Sequence, residues 1–418
     1  MGGTNTFLSV INEKYSSRFI YLYFVFSALK GCSGMLGHEL PFTIISDIGI
    51  IFIVIWCLLY KTNTLSKFII IAIFIMTLTS LLNTYPIKDL VLGVRWQLFY
   101  MLAFIVGTSK YLANWKFFDT MVWVVFIVDL IGLYLYFFPP SGYMDYKFQH
   151  LDLEYVTDNM MLEMTRLSAF WPYPYWVSYG SAICYFYILC MYYYGNIKSK
   201  KAIFFLLFFF IILLLAQQRL PLFFIVGATL ILLIRSISIH DTTRIKFAGL
   251  ILGVITLLIV LLITLLPIIL DSSIIEFGIN KIKDMSGEST SGRNESFLLE
   301  RFHFIKNIDF KGFSFFGGGI GHYQSKILDN MWLTIFVESG IWGLFVYISI
   351  FLCVAKKGFK NLKFNLFELG ILGMYVIAMF GANSLIKPTH HAIVLWLCCG
   401  RIYNIYCLKF KKNNIHIK

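Results

Sequence analysis

The run from Ala202 to Ile234 limits the fold more than any other stretch of this sequence. It is 33 residues long and apolar apart from one break. As a single helix it would reach about 50 Å, well beyond the ~30 Å of a bilayer's hydrocarbon. Basic clusters stand at both ends: Lys198, Lys200 and Lys201 before it, Arg235, Arg244 and Lys246 after it. Lysine and arginine accumulate in the cytoplasmic loops of membrane proteins. A run with basic flanks on both sides therefore crosses twice or not at all. The break is Gln217-Gln218-Arg219, followed by Pro221. The pattern predicts two short helices that turn there, with Arg219 at or below the outer membrane surface. A charge at that depth is costly and marks a functional site by default. The competing reading is an arginine that snorkels to the headgroups.

The rest of the chain follows the same grammar. With 59% hydrophobic and 14% charged residues, it is excluded from the soluble globular class and belongs with all-α polytopic membrane proteins. Apolar runs predict about twelve spans of near ~20 residues each. They lie near Phe19–Leu36, Phe42–Tyr60, Phe68–Leu82, Leu90–Gly107, Phe117–Phe138, Tyr175–Tyr194, Ala202–Ala216, Leu220–Ile234, Ile245–Leu270, Asn330–Val354, Phe367–Ile386 and Ala392–Cys407. The net charge of +13 would suit nucleic acid, but the lysines sit in short clusters between apolar runs and set orientation instead. Alternate loops are basic, from Lys14/Arg18 to the tail beginning at Arg401, which puts both termini in the cytoplasm. The polar start, Met1 to Glu13, has no signal-peptide pattern. The eight cysteines lie in or at the ends of apolar runs without metal-ligand spacing, and read as small buried residues.

Residues 1–418 thus read as one integral membrane domain with two long outer loops, 139–171 and 271–329. In the second, Phe297, Leu298, Phe302, Ile305 and Ile308 recur at helical spacing opposite Arg293, Glu300, Arg301 and Lys306. That pattern predicts a helix lying along the outer surface.

The outer arginines carry the sharpest chemical signal. Arg95 lies inside a predicted span beside Trp96 and Gln97, and Arg166, Arg219, Arg293 and Arg301 stand on the outer side. Guanidinium groups bind phosphate oxygens in pairs, and a buried arginine needs an anion. The alternative is a set of intramembrane ion pairs that only fix helix packing. The turn Gly317-Gly318-Gly319-Ile320-Gly321 permits left-handed backbone, so its amides could face a phosphate or a sugar; a flexible surface turn explains it equally. Asp329 opens an apolar segment, where its carboxylate suits either a helix cap or a general base. Glu338 is an intramembrane carboxylate in need of a partner. His322 is isolated from ligand-like neighbours. No Ser/His/Asp set, phosphate-binding loop or zinc spacing occurs.

In this setting the residues resemble the superfamily of O-antigen polymerases and O-antigen ligases. Three blocks carry the resemblance. Arg166-Leu167-Ser168-Ala169-Phe170-Trp171-Pro172-Tyr173-Pro174 is similar to the family's R-x-x-G-x-F-x-x-P region, with Ala169 where glycine is usual. Gln218-Arg219 falls at a tight outer hairpin. Ser291-Gly292-Arg293 is followed by the glycine turn and then by Asp329-Asn330, nine residues, and Gly340-Ile341-Trp342-Gly343. In ligases that last motif begins with histidine; here Asp329 takes its place, which favours a polymerase over a ligase. Arg301 and Gly312 also match an Arg-x10-Gly spacing described for polymerase outer loops.

The resemblance implies a fold akin to the lipid-dependent (GT-C) glycosyltransferases, in the inner membrane of a bacterium. It implies an enzyme that joins oligosaccharide repeat units carried on undecaprenyl pyrophosphate, without a cofactor or metal. Arg219 and Arg293 would hold the pyrophosphate, assisted by Arg95, Arg166 or Arg301. Asp329 would be the base, with Glu338 and His322 behind it. Partners would be the lipid-linked donor and acceptor, membrane lipid, a chain-length regulator and a flippase. The rival classes are an O-antigen ligase and a flippase of lipid-linked sugars; the latter usually shows two similar halves, and no repeat is seen.

Overall fold

The computed structural model describes residues 18, 20–26, 28, 29, 48, 49, 63–82, 87–140, 142, 143, 166–170, 175–237, 249, 253, 315–321, 330–381 and 390–414. By backbone contacts the chain divides into two units. Met1–Arg235 with Phe315–Lys418 forms the first, and nearly all described residues belong to it. Ser236–Ser314 forms the second, of which only four residues are described. The predicted outer-surface helix, Arg293 and Arg301 fall in that stretch and lie outside the described residues, as do His322 and Asp329.

The described residues are helical, with no strand among them. The first long helix, α1, is Thr64–Leu81, started by the Asn63 side chain, which accepts from the Ser66 amide at 2.8 Å. Next comes α2, Ile87–Gly93. It runs into a π-helical turn, Val94–Leu98, a 3-10 turn, Phe99–Leu102, and α3, Ala103–Gly107. The expected span Leu90–Gly107 is therefore one helical path broken in its hydrogen-bond register at Arg95 and Gln97. Then follow α4 (Lys116–Phe137), α5 (Tyr175–Tyr193), α6 (Ser199–Ala216) and α7 (Arg219–Ile237). The last four are α8 (Met331–Phe359), α9 (Leu366–Gly381), α10 (His390–Tyr403) and α11 (Ile405–Asn414).

The long apolar run breaks where its charges require. Helix α6 ends at Ala216, Gln217 takes a left-handed conformation at φ 52°, and α7 starts at Arg219. Five of the described helices, α1, α4, α6, α7 and α8, are long and apolar enough to cross a membrane, and α9 and α10 contain shorter apolar stretches. This is a helical membrane protein.

Burial separates the helices into two kinds. Residues 176–194 of and beside α5 are all buried, as are residues 392–402 of α10. A helix apolar on every side belongs in the centre of a bundle. Helix α5 packs closely on α6 and α4, and α10 on α3 and α9. The crossing of α3 and α10 depends on missing side chains. A Cβ at Gly107 would lie 2.9 Å from the Gly400 Cα, and one at Gly400 the same distance from the Gly107 Cα. Small residues let membrane helices approach backbone to backbone. The outer helices instead turn apolar side chains outward, such as Phe74 of α1 at 65% and Phe223 of α7 at 72% exposure. Those faces suit hydrocarbon.

One end of this centre is locked by Arg401, which the sequence alone assigns to a basic tail. It is buried, and its Nε donates to Glu368 at 3.0 Å. Its Nη1 donates to the carbonyls of Leu112 and Asn114, and its guanidinium lies 4.5 Å from the Trp115 ring. The acceptors Leu112 and Asn114 sit in the turn between α3 and α4, so this side chain ties three helices together.

Candidate functional site

The glycine turn is positioned by α8. Asn330 caps that helix, accepting from the Leu333 amide at 3.0 Å, while its amide group donates to the Phe380 carbonyl at the end of α9. The capping role open to Asp329 is thus taken by its neighbour. Ten residues later the helix deforms: Gly340 has φ 65° and ψ −160° within an otherwise helical path. That conformation is open to glycine and costly for other residues. It swings two carbonyls, Val337 and Glu338, out of the helical ladder. They are taken up by the amides of Gly318 at 2.9 Å and Gly319 at 2.8 Å. In return the Trp342 amide donates to Phe315 at 3.1 Å.

Three of the turn's glycines are left-handed, Gly317 at φ 74°, Gly319 at 102° and Gly321 at 87°. Close approach adds a second demand. A Cβ on Gly317 would sit 2.5 Å from the Gly340 nitrogen, and a Cβ on Gly93 of α2 would sit 2.6 Å from the Gly321 nitrogen. On the α1 side, the Ile320 amide donates to Ser80 Oγ at 3.0 Å, and that hydroxyl donates to the Met76 carbonyl at 2.7 Å. The turn is therefore clamped among α1, α2 and α8. The amides of Gly318, Gly319 and Ile320 are engaged by protein acceptors, which makes this part of the turn a backbone clasp.

Beneath the clasp lies a polar centre. Glu338 is 2% exposed, and its Oε2 accepts from Gln97 Nε2. The Gln97 carbonyl accepts from the Tyr347 hydroxyl at 3.3 Å. Gln97 and Arg95 both sit in the π-helical turn, and such turns recur at functional sites because they re-aim side chains. A carboxylate and a phenol of α8 thus meet, in an apolar interior, a glutamine from a distant part of the chain. The sequence names Glu338 and Arg95 for this region, but Gln97 only as a neighbour.

A second group of candidates gathers at the end of α6. The Leu167 amide donates to the Leu215 carbonyl at 3.1 Å. That bond brings Arg166, half-buried, to the helix end that also carries the Arg219 turn. Ala169, in place of the glycine usual in the resembled motif, still has φ 51°. Its carbonyl accepts from the Tyr143 hydroxyl at 2.6 Å, and a Cβ on Gly132 would lie 2.8 Å from the Ala169 Cβ. Arg219 itself is exposed.

Besides Glu368, a second buried carboxylate escaped the sequence reading. Asp129 of α4 is fully buried, and Ser181 of α5 donates to its Oδ2 at 2.6 Å. Its Oδ1 has no hydrogen-bond partner among the described residues. The available signal was a lone acid in the middle of a 22-residue apolar helix. Among the described residues, no cluster of His, Cys, Asp and Glu could hold a metal ion.

Compared with known proteins, the chain matches no protein-family model and no curated protein.

Proposed function

We propose that this protein is a membrane glycosyltransferase of the O-antigen polymerase type, acting at the outer face of a bacterial inner membrane. Its substrates would be oligosaccharide repeat units on undecaprenyl pyrophosphate. The anomeric carbon of the growing chain loses its bond to the pyrophosphate oxygen and gains one to a hydroxyl of the next lipid-linked unit. The hydroxyl proton passes to a base, and undecaprenyl pyrophosphate leaves with the bonding pair.

The observation that carries this reading is the clasp between the glycine turn and the Gly340 kink. It joins two halves of the resembled motif, Gly317–Gly321 and Asn330-x9-Gly340, over a buried carboxylate in a membrane interior. Arg219 and Arg293 bind the pyrophosphate, with Arg95, Arg166 and Arg301 in support. Their task is to stabilise charge that grows on the leaving oxygens, the largest electrostatic demand in such a displacement. Asp329 takes the proton. Glu338, held by Gln97, and His322 stand behind it.

The test follows chain-length ladders in cells whose own copy is replaced by a variant. Arg219→Ala, Arg293→Ala or Asp329→Asn at normal protein level should reduce the ladder to single units attached to the acceptor core. Ladders of wild-type length from all three would sink the proposal. Long polymer accumulating on undecaprenyl pyrophosphate in the deletion strain would mark a ligase instead.

A further inference from the structure

A cavity of about 350 Å³ opens where α4 and α6 begin and α5 ends. Trp115, Asp119 and Trp123 line it from the α4 side, Tyr187 from α5, Asn196 from the turn after α5, and Lys201 from α6. Helices α4 and α6 are both long and apolar enough to cross a membrane. Asp119 and Lys201 stand in the first turns of these two helices. The cavity therefore lies at headgroup depth, at the edge of the hydrocarbon.

Its two charges are opposite and unmatched. Asp119 Oδ1 accepts from the Tyr187 hydroxyl at 2.8 Å. Lys201 Nζ lies 5.8 Å from the centre of the Trp123 ring. Among the described residues neither side chain enters an ion pair. Arg401, against the Trp115 ring, is already matched by Glu368. An occupant that satisfies both charges carries a cation at one end and an anion at the other.

The surroundings narrow the choice. A carboxylate among aromatic rings suits an ammonium, which gains from the charge and from the ring faces together. Lysine with a neighbouring amide suits phosphate oxygens. A nucleotide would set several negative charges against Asp119, and a neutral sugar would leave Lys201 unmatched. The cavity is at the small end of ligand sites, enough for a headgroup. From it an aromatic strip runs along α4 and α6. Trp123 meets Phe126 with centroids 5.7 Å apart, and Phe126 meets Phe204 at 5.7 Å and Phe208 at 4.6 Å. Trp123 and Phe204 are exposed, so the strip offers acyl chains an apolar surface that leads from the cavity into the membrane.

We propose that this cavity holds the phosphoethanolamine headgroup of a phospholipid, its ammonium at Asp119 and its phosphate at Lys201. Lys198, Lys200 and Lys201 assign the lipid to the cytoplasmic leaflet. Those lysines draw any anionic lipid to the surface, but Asp119 repels a headgroup that has no cation. The site is independent of glycosyl transfer and stands or falls without it.

The test is native mass spectrometry of the full-length protein in detergent with phosphatidylethanolamine, phosphatidylglycerol or phosphatidylcholine. Phosphatidylethanolamine should bind about fivefold tighter than either of the others, because it alone brings a compact ammonium whose N–H groups reach the carboxylate. Asp119→Asn keeps an oxygen for the Tyr187 hydroxyl and removes the charge, so the preference should vanish with an unchanged unfolding midpoint. Lys201→Gln should weaken phosphatidylethanolamine as well. Equal binding of phosphatidylglycerol or phosphatidylcholine, or an intact preference in Asp119→Asn, would overturn the proposal. Displacement of the lipid by free phosphoethanolamine at equal concentration would overturn the lipid assignment in favour of a soluble ligand. Should Asp119→Asn fold poorly, Lys201→Gln decides, since its side chain is exposed and unchanged binding there would sink the site.

Discussion

The clasp at Gly340 makes a strong quantitative prediction about Gly340→Ala. The residue's φ of 65° with ψ of −160° lies in a region that is essentially glycine's own, and alanine there costs about 1–3 kcal/mol. The new Cβ would also stand against the Phe315 carbonyl and 2.5 Å from the Gly317 nitrogen. These are backbone atoms, so the turn itself must move. Its displacement strains the bonds Gly318 to Val337, Gly319 to Glu338 and Trp342 to Phe315. Losing all of them adds about 3 kcal/mol at a net ~1 kcal/mol per hydrogen bond. The total is roughly 4–6 kcal/mol, a large part of an ordinary protein's stability. Gly373→Ala is the control, because its Cβ enters open space and alanine gains about 0.5–1 kcal/mol over glycine within a helix. Purified protein in detergent should show a clearly lowered unfolding midpoint for Gly340→Ala and an equal or raised one for Gly373→Ala. Equal midpoints for Gly340→Ala and wild type would refute the account of the kink.

Three further outcomes test the supports around this centre, all read as unfolding midpoints. Ser80→Ala leaves the Ile320 amide without its 3.0 Å acceptor and should cost about 1–3 kcal/mol, the penalty of an unsatisfied buried donor; Ser80→Thr, which keeps a hydroxyl, should recover part of it. Arg401→Ala strands the buried Glu368 carboxylate and should cost about 3–5 kcal/mol, while the double change to Arg401→Met with Glu368→Leu should be far milder than either single truncation. Asn330→Ala removes both the cap on Leu333 and the bond to Phe380 and should cost about 1–2 kcal/mol, with Asn330→Asp retaining the cap.

Much of the architecture was legible because membranes constrain sequence so strongly. The break at Gln217–Arg219 could be placed from two local signals: basic flanks on both sides of one long apolar run rule out a single crossing, and Gln217-Gln218-Arg219, followed by Pro221, is the one interruption within it. The glycine turn could be read as permitting left-handed backbone, a freedom the structure uses at Gly317, Gly319 and Gly321. Its use was less legible. The local pattern suits an anion cradle, whereas three of its amides are spent on Val337, Glu338 and Ser80, and which acceptor an amide finds depends on what another helix brings to it. Asp329 illustrates the same point, because the cap falls one residue later, on Asn330.

What the sequence determined by itself is the material and the punctuation: helices that belong in hydrocarbon, the turn at Arg219, and a glycine-rich turn at 317–321 that permits left-handed backbone. These follow from local rules of hydropathy, charge side and backbone freedom. Tertiary structure alone decided the partnerships. Gln97 faces Glu338 across 241 positions of sequence, Ser181 finds Asp129, and Arg401 leaves the basic tail for Glu368. A polar group buried in an apolar bundle must be satisfied, but the partner is chosen by which helix faces meet. That choice depends on packing between whole helices, at Gly107 and Gly400 above all, and no window of sequence contains it.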